Sequence, residues 1–175
     1  MKKKQKVDLI VAILLIITGI IFAILPNFKV LNLDKILISF MFVYAIINFV
    51  QFVLTKESKD YEGLYESILS IIVGILALVF NLFTNTLELA VTLFSWIILM
   101  SLIKFKKCDY YHDRNNKMWI IKIITLILFI VTGIITCINL YYSKSIQILV
   151  IGLFFYVHGI LEIVDPLTIY LMESK

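Results

Sequence analysis

The sequence predicts an all-α, polytopic membrane protein: six transmembrane helices arranged as three repeated hairpins in a pseudo-threefold bundle. Three observations carry that prediction. First, the chain has 175 residues, of which 62% are hydrophobic and only 16% charged; a soluble domain would be roughly 45–50% apolar and ~25% charged. At a mean hydropathy of +1.02 the apolar side chains cannot all be hidden from water, because a small globule is mostly surface. Second, the apolar residues gather in six runs with few charges, each close to the ~20 residues that a spanning helix needs. Third, a short glycine-centred pattern recurs three times. Soluble enzymes, disulfide scaffolds and disordered chains are excluded as classes. Six spans use about 120 residues, which leaves tails and connections, so the chain reads as a single membrane domain over 1–175.

The first run, 9–25, follows the cations Lys2, Lys3, Lys4 and Lys6. A signal peptide also begins with positive charge, but its apolar region is about 7–15 residues and ends in a small-x-small cleavage site. Here the run ends in Ile24-Leu25-Pro26-Asn27 and reads as a retained helix. The second run is 36–54, the third 68–83 and the fourth 87–103; the fifth, 118–140, holds Lys122 near its start. The sixth, 146–163, is interrupted late by His158 and Glu162. Abundant Ile and Val would favour strands in water. In lipid a span must satisfy its own backbone, which only helices and closed barrels can do, and barrel strands alternate in polarity. These runs do not alternate, so they are helices.

Connections within each pair are short: Pro26-Asn27-Phe28-Lys29 begins the first, 81–86 forms the second and 139–145 the third. Asn and Pro suit turns and helix ends. Between pairs lie longer charged connections, 55–66 and 104–117, and residues 165–175 read as a short C-terminal tail, either interfacial or an extension of the sixth helix. The cations set the orientation. Thirteen of sixteen lie in the N-terminal tail, the C-terminus and the two long connections with their flanks; Lys29, Lys35 and Lys144 lie opposite. The positive-inside rule then predicts both termini in the cytoplasm, with the tight turns outside.

The repeat units are about 7–55, 66–104 and 117–164. Ile17-Thr18-Gly19-Ile20-Ile21 matches Ile72-Val73-Gly74-Ile75-Leu76 and Val131-Thr132-Gly133-Ile134-Ile135, and an asparagine (Asn27, Asn81, Asn139) follows each glycine. The same offset aligns Asn48, Ser101 and Gly159, and three residues beyond them Gln51, Lys104 and Glu162. Each unit has two spans, so every copy enters the membrane the same way round, as parallel repeats do. Gly19, Gly74, Gly133 and Gly159 are expected at close helix contacts, because small residues let backbones approach in lipid. Gly19 with Ala23, Ser70 with Gly74 and Gly133 with Cys137 give the four-residue spacing of such contacts.

Three two-helix units of this kind resemble the HdeD-like family of acid-resistance membrane proteins. The best local match is Leu14-Leu15-Ile16-Ile17-Thr18-Gly19-Ile20-Ile21-Phe22-Ala23-Ile24-Leu25-Pro26, and His158-Gly159-Ile160-Leu161-Glu162-Ile163 is similar to the family's last helix. The chain departs from the pattern over Ala45 to Asn48 and at Ser101, where a glycine is more usual. The resemblance implies a six-span bacterial inner-membrane protein linked to acid stress, without catalytic residues to carry over.

Polar residues inside spans point most directly to function, because they are costly unless paired or wetted. Gln51, Lys104, His158 and Glu162 form the candidate polar layer, with Lys104 and Glu162 as an ion pair; Asp8, Glu66, Lys122 and Asp165 lie at similar depth. Three readings fit them: side chains snorkelling to headgroups, an interhelical network, or an ion or proton site. His158 and Glu162 are four apart and share a helix face, and histidine changes charge between about pH 5 and 8. The alternative for His158 is packing. Cys108-Asp109-Tyr110-Tyr111-His112-Asp113 holds three kinds of metal ligand but has no second cluster, whereas zinc usually takes four ligands, so it reads as a solvated loop with no metal. The two cysteines suggest no disulfide framework.

No P-loop, G-x-G-x-x-G, H-E-x-x-H, C-x-x-C or G-x-S-x-G occurs, so no cofactor and no enzymatic activity are expected. The reading is a non-enzymatic integral membrane protein of acid stress; the alternative is a small channel or transporter for protons or a small solute. Lipids are the expected partners, a homo-oligomer or other membrane proteins are compatible, and nucleic acid is not expected.

Overall fold

A computed structural model describes residues 3–24, 33–55, 61–114 and 116–173, with the backbone alone of 33, 144, 172 and 173. The protein is all-α over these residues: α1 (Lys3–Ile24), α2 (Leu33–Thr55), α3 (Glu62–Phe80), α4 (Thr86–Asp113), α5 (Met118–Asn139) and α6 (Lys144–Glu173). All six are long and apolar enough to cross a membrane. The burial pattern suits lipid: outward faces carry Ile10, Ile46, Val79, Leu102, Ile138 and many similar side chains more than 40% exposed. Such a surface is compatible with a multi-pass membrane protein, in which lipid takes the place of water.

Local chemistry sets the visible turns. Asn81 ends α3 in the left-handed conformation (φ 53°), which asparagine tolerates better than most residues. Asn85 then caps α4 by accepting from the Leu87 N–H at 3.0 Å. Between α5 and α6, the Gln147 amide donates to the Leu140 carbonyl at 2.6 Å and to that of Tyr142 at 3.2 Å. Asn116 accepts from the Met118 N–H at 3.0 Å and starts α5. The expected first turn, Pro26 to Lys29, lies outside the described residues.

Four boundaries differ from the sequence expectation; α3 begins at Glu62, inside the connection expected over 55–66. α1 begins at Lys3 and takes in most of the basic tail. α4 runs through 104–113, read as a connection, so the turn to α5 shrinks to a few residues. At 28 residues α4 is ~42 Å long at 1.5 Å per residue, more than the ~30 Å hydrocarbon core. α6 absorbs most of the expected tail and contains Pro166. A proline inside a helix removes a hydrogen bond and disfavours the helical conformation of the residue before it. Here Asp165 is held by an ion pair with Lys122 and is buried with Pro166, so tertiary contact carries the helix through.

Each helix packs against its chain neighbours, and α1 closes on α6. The closest packing joins α1 with α6, α2 with α3 and α4 with α5; the pairs α1–α2, α3–α4 and α5–α6, which the sequence reads as hairpins, touch less extensively. The starts of α1, α3 and α5 and the ends of α2, α4 and α6 lie together at what we term the charged end, and the turns at 81–85 and 140–143 mark the hairpin end. Aromatic rings fill the core between them. Phe40 and Tyr44 of α2 meet Trp96 of α4 and Phe155 of α6, with ring centroids 3.9 Å apart for Phe40 and Phe155 and 5.7 Å for Tyr44 and Trp96. Trp96 is fully buried, and its indole N–H donates to the Ser70 hydroxyl of α3 at 3.2 Å.

Candidate functional site

The charged end holds the site. Lys104, more than four turns into α4, reaches two carboxylates: Glu66 of α3, at 3.1 Å, and Glu162 of α6, in direct contact. Glu66 also accepts from the Tyr44 hydroxyl of α2 at 3.1 Å. Glu162 lies 3.2 Å from His158 Nε2 on its own helix. Lys104 further lies over the Phe129 ring of α5, 5.6 Å from its centroid, a cation–π geometry. Four helices thus meet around one ammonium group, and α2 joins them through the Tyr44 hydroxyl on Glu66. Two more ion pairs flank it, Lys107 with Glu62 and Lys122 with Asp165.

These charges are removed from solvent. The side chains of Lys104 and Glu66 are 12% and 6% exposed, and His158 is fully buried against Phe129, Phe154 and Tyr44. Headgroup snorkelling therefore does not describe Lys104, Glu66, Lys122 or Asp165, whose charged groups turn inward onto one another. A cavity of about 20 Å³ lies among them, lined by Lys104, Lys122, Phe129, His158, Glu162 and Asp165. It has room for about one water. Two of its lining residues carry buried polar atoms without a hydrogen-bond partner, His158 Nδ1 and Asp165 Oδ1.

The sequence-selected residues separate into two groups. Lys104, His158 and Glu162 converge. Gln51 does not join them; its amide donates to Asp8 of α1 at 2.8 Å. Their repeat-related neighbours Asn48 and Ser101 bond their own helices, to the carbonyls of Tyr44 (2.9 Å) and Ile97 (2.7 Å), which satisfies a polar side chain in lipid without a partner helix. Sequence reasoning missed Tyr44, Glu62 and Lys107 as members of the layer. The spacings were available: Glu62 and Glu66 are four apart, and Lys104 and Lys107 three apart, so each pair shares a helix face.

The glycines lie on the three closest seams, at very different separations. A Cβ on Gly19 would strike the backbone of α6, 2.7 Å from the Gly152 carbonyl oxygen and against the Tyr156 nitrogen. Gly152 and Gly159 are equally closed, their would-be Cβ atoms 2.8 Å from the Ala23 nitrogen and the Ala12 carbonyl oxygen. Gly133 faces only the Ile97 side chain of α4, at 2.8 Å, and Gly74 has ordinary contact with Met41 and Phe42 of α2, at 3.4 Å. Gly152 and Gly63 have no counterpart in the glycine pattern; Gly152 could have been found from its seven-residue spacing to Gly159, which keeps both on one face. Cys108 and Cys137 are both buried. Cys108 does not converge with His112, which is exposed against the Trp119 ring.

Comparison of the chain with protein-family models, with curated proteins and with solved structures gives no match in any of the three.

Proposed function

We propose that this chain is a non-enzymatic, acid-responsive protein of a prokaryotic cell membrane, as its resemblance to the HdeD-like family implies, and that the buried charged layer is where it responds. The observation that carries this reading is the gathering of buried ionisable groups in the layer. Three lysines (Lys104, Lys107, Lys122) face four carboxylates (Glu62, Glu66, Glu162, Asp165), with His158 and the Tyr44 hydroxyl as neutral members. A proton taken up by one of these carboxylates or by His158 changes the charge held inside the cluster. Burying an unbalanced charge is costly, so proton uptake changes how tightly five helices hold together.

In the same reading the six helices are one hairpin written three times around a pseudo-threefold axis, with both termini and the charged end in the cytoplasm. Two features support the threefold arrangement. Gly19, Gly74 and Gly133 each face the even-numbered helix preceding them around the ring, α6, α2 and α4, and close seams alternate with looser ones. The channel or transporter alternative needs a polar route from the charged layer to the hairpin end, and Phe40, Tyr44, Trp96, Phe154 and Phe155 occupy that route.

Two measurements test the proposal. Survival in acid should fall in host cells lacking the protein and return with the wild-type chain. The unfolding midpoint of purified protein carrying Trp119→Phe, followed by Trp96 fluorescence, should shift between pH 5 and 8, and Glu66→Gln combined with His158→Gln should flatten that profile. A pH-independent midpoint, or equal survival with and without the protein, would overturn the reading. Proton flux in liposomes above that of protein-free vesicles, lost in Glu162→Gln, would replace it with transport.

A further inference from the structure

A second feature stands apart from the charged layer. Between α3 and α4, in the halves nearer the charged end, an open groove of about 740 Å³ faces outward, within the ~300–1,000 Å³ range of small-ligand sites. Its chemistry changes along its length. The inner part is wholly apolar, with Ile68, Leu69 and Ile72 on α3 and Leu99, Leu102 and Ile103 on α4. Four tyrosines follow, Tyr61, Tyr65, Tyr110 and Tyr111, and the mouth carries Lys4, Lys106, Lys107 and Arg114. The single acid among the lining residues, Glu62, is paired with Lys107. Arg114 is held at the mouth against Tyr110, its guanidinium 4.1 Å from the ring centroid.

We infer that this groove is a binding site for one anionic phospholipid of the leaflet at the charged end. Depth and charge both select that occupant. Ile72 lies ten residues into α3, or ~15 Å from the mouth at 1.5 Å per residue, which is half of a ~30 Å hydrocarbon core and therefore one leaflet. An acyl chain lies along Ile68, Ile72, Leu99 and Leu102, while tyrosine rings sit at the level of the glycerol esters, where aromatic side chains concentrate. The phosphate meets the exposed Lys106 and Arg114 at the mouth, and basic pockets between spans on the cytoplasmic side favour anionic headgroups in this way. A zwitterionic lipid would bring its own cation into a rim that is already positive. A second copy of this chain would have to supply an acidic helix end of matching depth.

Spin-labelled lipids in reconstituted vesicles test the assignment. Wild-type protein should retain labelled phosphatidylglycerol in preference to labelled phosphatidylcholine. The exposed double substitution Lys106→Gln with Arg114→Gln should lower that ratio at least about fivefold, with the unfolding midpoint unchanged. Leu99→Trp with Ile68→Trp should reduce retention of both lipids by filling the acyl slot while keeping the cations. Equal retention of the two lipids by the wild type, or a ratio indifferent to the double substitution, would overturn the inference. So would crosslinking between chains through a cysteine placed at Leu102, because the groove would then be an interface between copies.

Discussion

The seam between α1 and α6 and the charged layer across α2 to α6 hold helices together by opposite means. At the seam, Gly19, Gly152 and Gly159 bring two backbones into contact, and the side chains there are apolar. At the layer, helices stand far enough apart for Lys104 to reach Glu66 and Glu162 and to leave a small cavity beside them. In lipid no hydrophobic force draws helices together, so association depends on close packing or on polar pairing. This protein uses each where the other is absent. The contacts of these glycines are with backbone and apolar side chains, whereas the layer is built from ionisable groups, so the proposed acid response belongs to the layer.

The largest effect should come from Lys104→Met. It leaves Glu66 and Glu162 without their common cation, and breaking a buried pair in this way costs about 3–5 kcal/mol. Adding Glu66→Gln and Glu162→Gln to the same chain should recover most of that loss, since a buried ion group is often replaced by neutral residues at little cost. Unfolding in mixed micelles, followed by Trp96 fluorescence in a Trp119→Phe background, measures both. The defect of Lys104→Met alone should be smaller at pH 5 than at pH 8, because the stranded carboxylates can take up protons instead of staying charged. A defect equal at both values would remove the layer from the acid response.

Gly19→Ala comes next, at about 3 kcal/mol, the upper range for overpacking. The new methyl group meets backbone, which cannot rotate aside, so α1 and α6 must part along their length. The same unfolding experiment should show a loss that does not vary between pH 5 and 8. A pH-dependent loss would mean that seam and layer are one cooperative unit, and the contrast between them would fail.

The six helices were legible because lipid imposes a coarse rule: long runs without charge, punctuated by Asn and Pro. The helix ends were not, and α4 shows why. The charges of Lys104, Lys106 and Lys107 mark where the apolar run stops, but a helix continues wherever its polar face finds partners, and Lys104 and Lys107 find Glu66, Glu162 and Glu62 across the bundle. Pro166 gave a similar signal in α6, overridden by the pairing of Asp165 with Lys122. In the candidate site, Lys104, His158 and Glu162 were readable from spacing alone. Gln51 was misplaced because the repeat relates positions along helices and says nothing about which neighbour a side chain turns toward. Tyr44 was passed over because a tyrosine inside an apolar run looks like packing until its hydroxyl is seen on Glu66.

The remaining two glycines grade the comparison at its fine end. At Gly133 the added methyl group meets only Ile97, whose Cγ2 and Cδ1 lie 2.8 and 2.9 Å away, so one side chain has to leave its rotamer, at roughly 0.5–1.5 kcal/mol. Gly133→Ala combined with Ile97→Ala should therefore be less destabilised than the two single losses summed. At Gly74 the nearest atoms are 3.4 Å away and belong to side chains, so alanine fits with ordinary contact. A glycine inside a helix is destabilising by roughly 0.5–1 kcal/mol relative to alanine, a gain that Gly74→Ala should partly realise. The three equivalent substitutions should then run from severe at Gly19, through mild at Gly133, to neutral or slightly stabilising at Gly74. Equal losses at all three would mean that the glycines serve the bundle by a shared property rather than by the separations seen at each seam, and the α1–α6 contact would lose its distinct status.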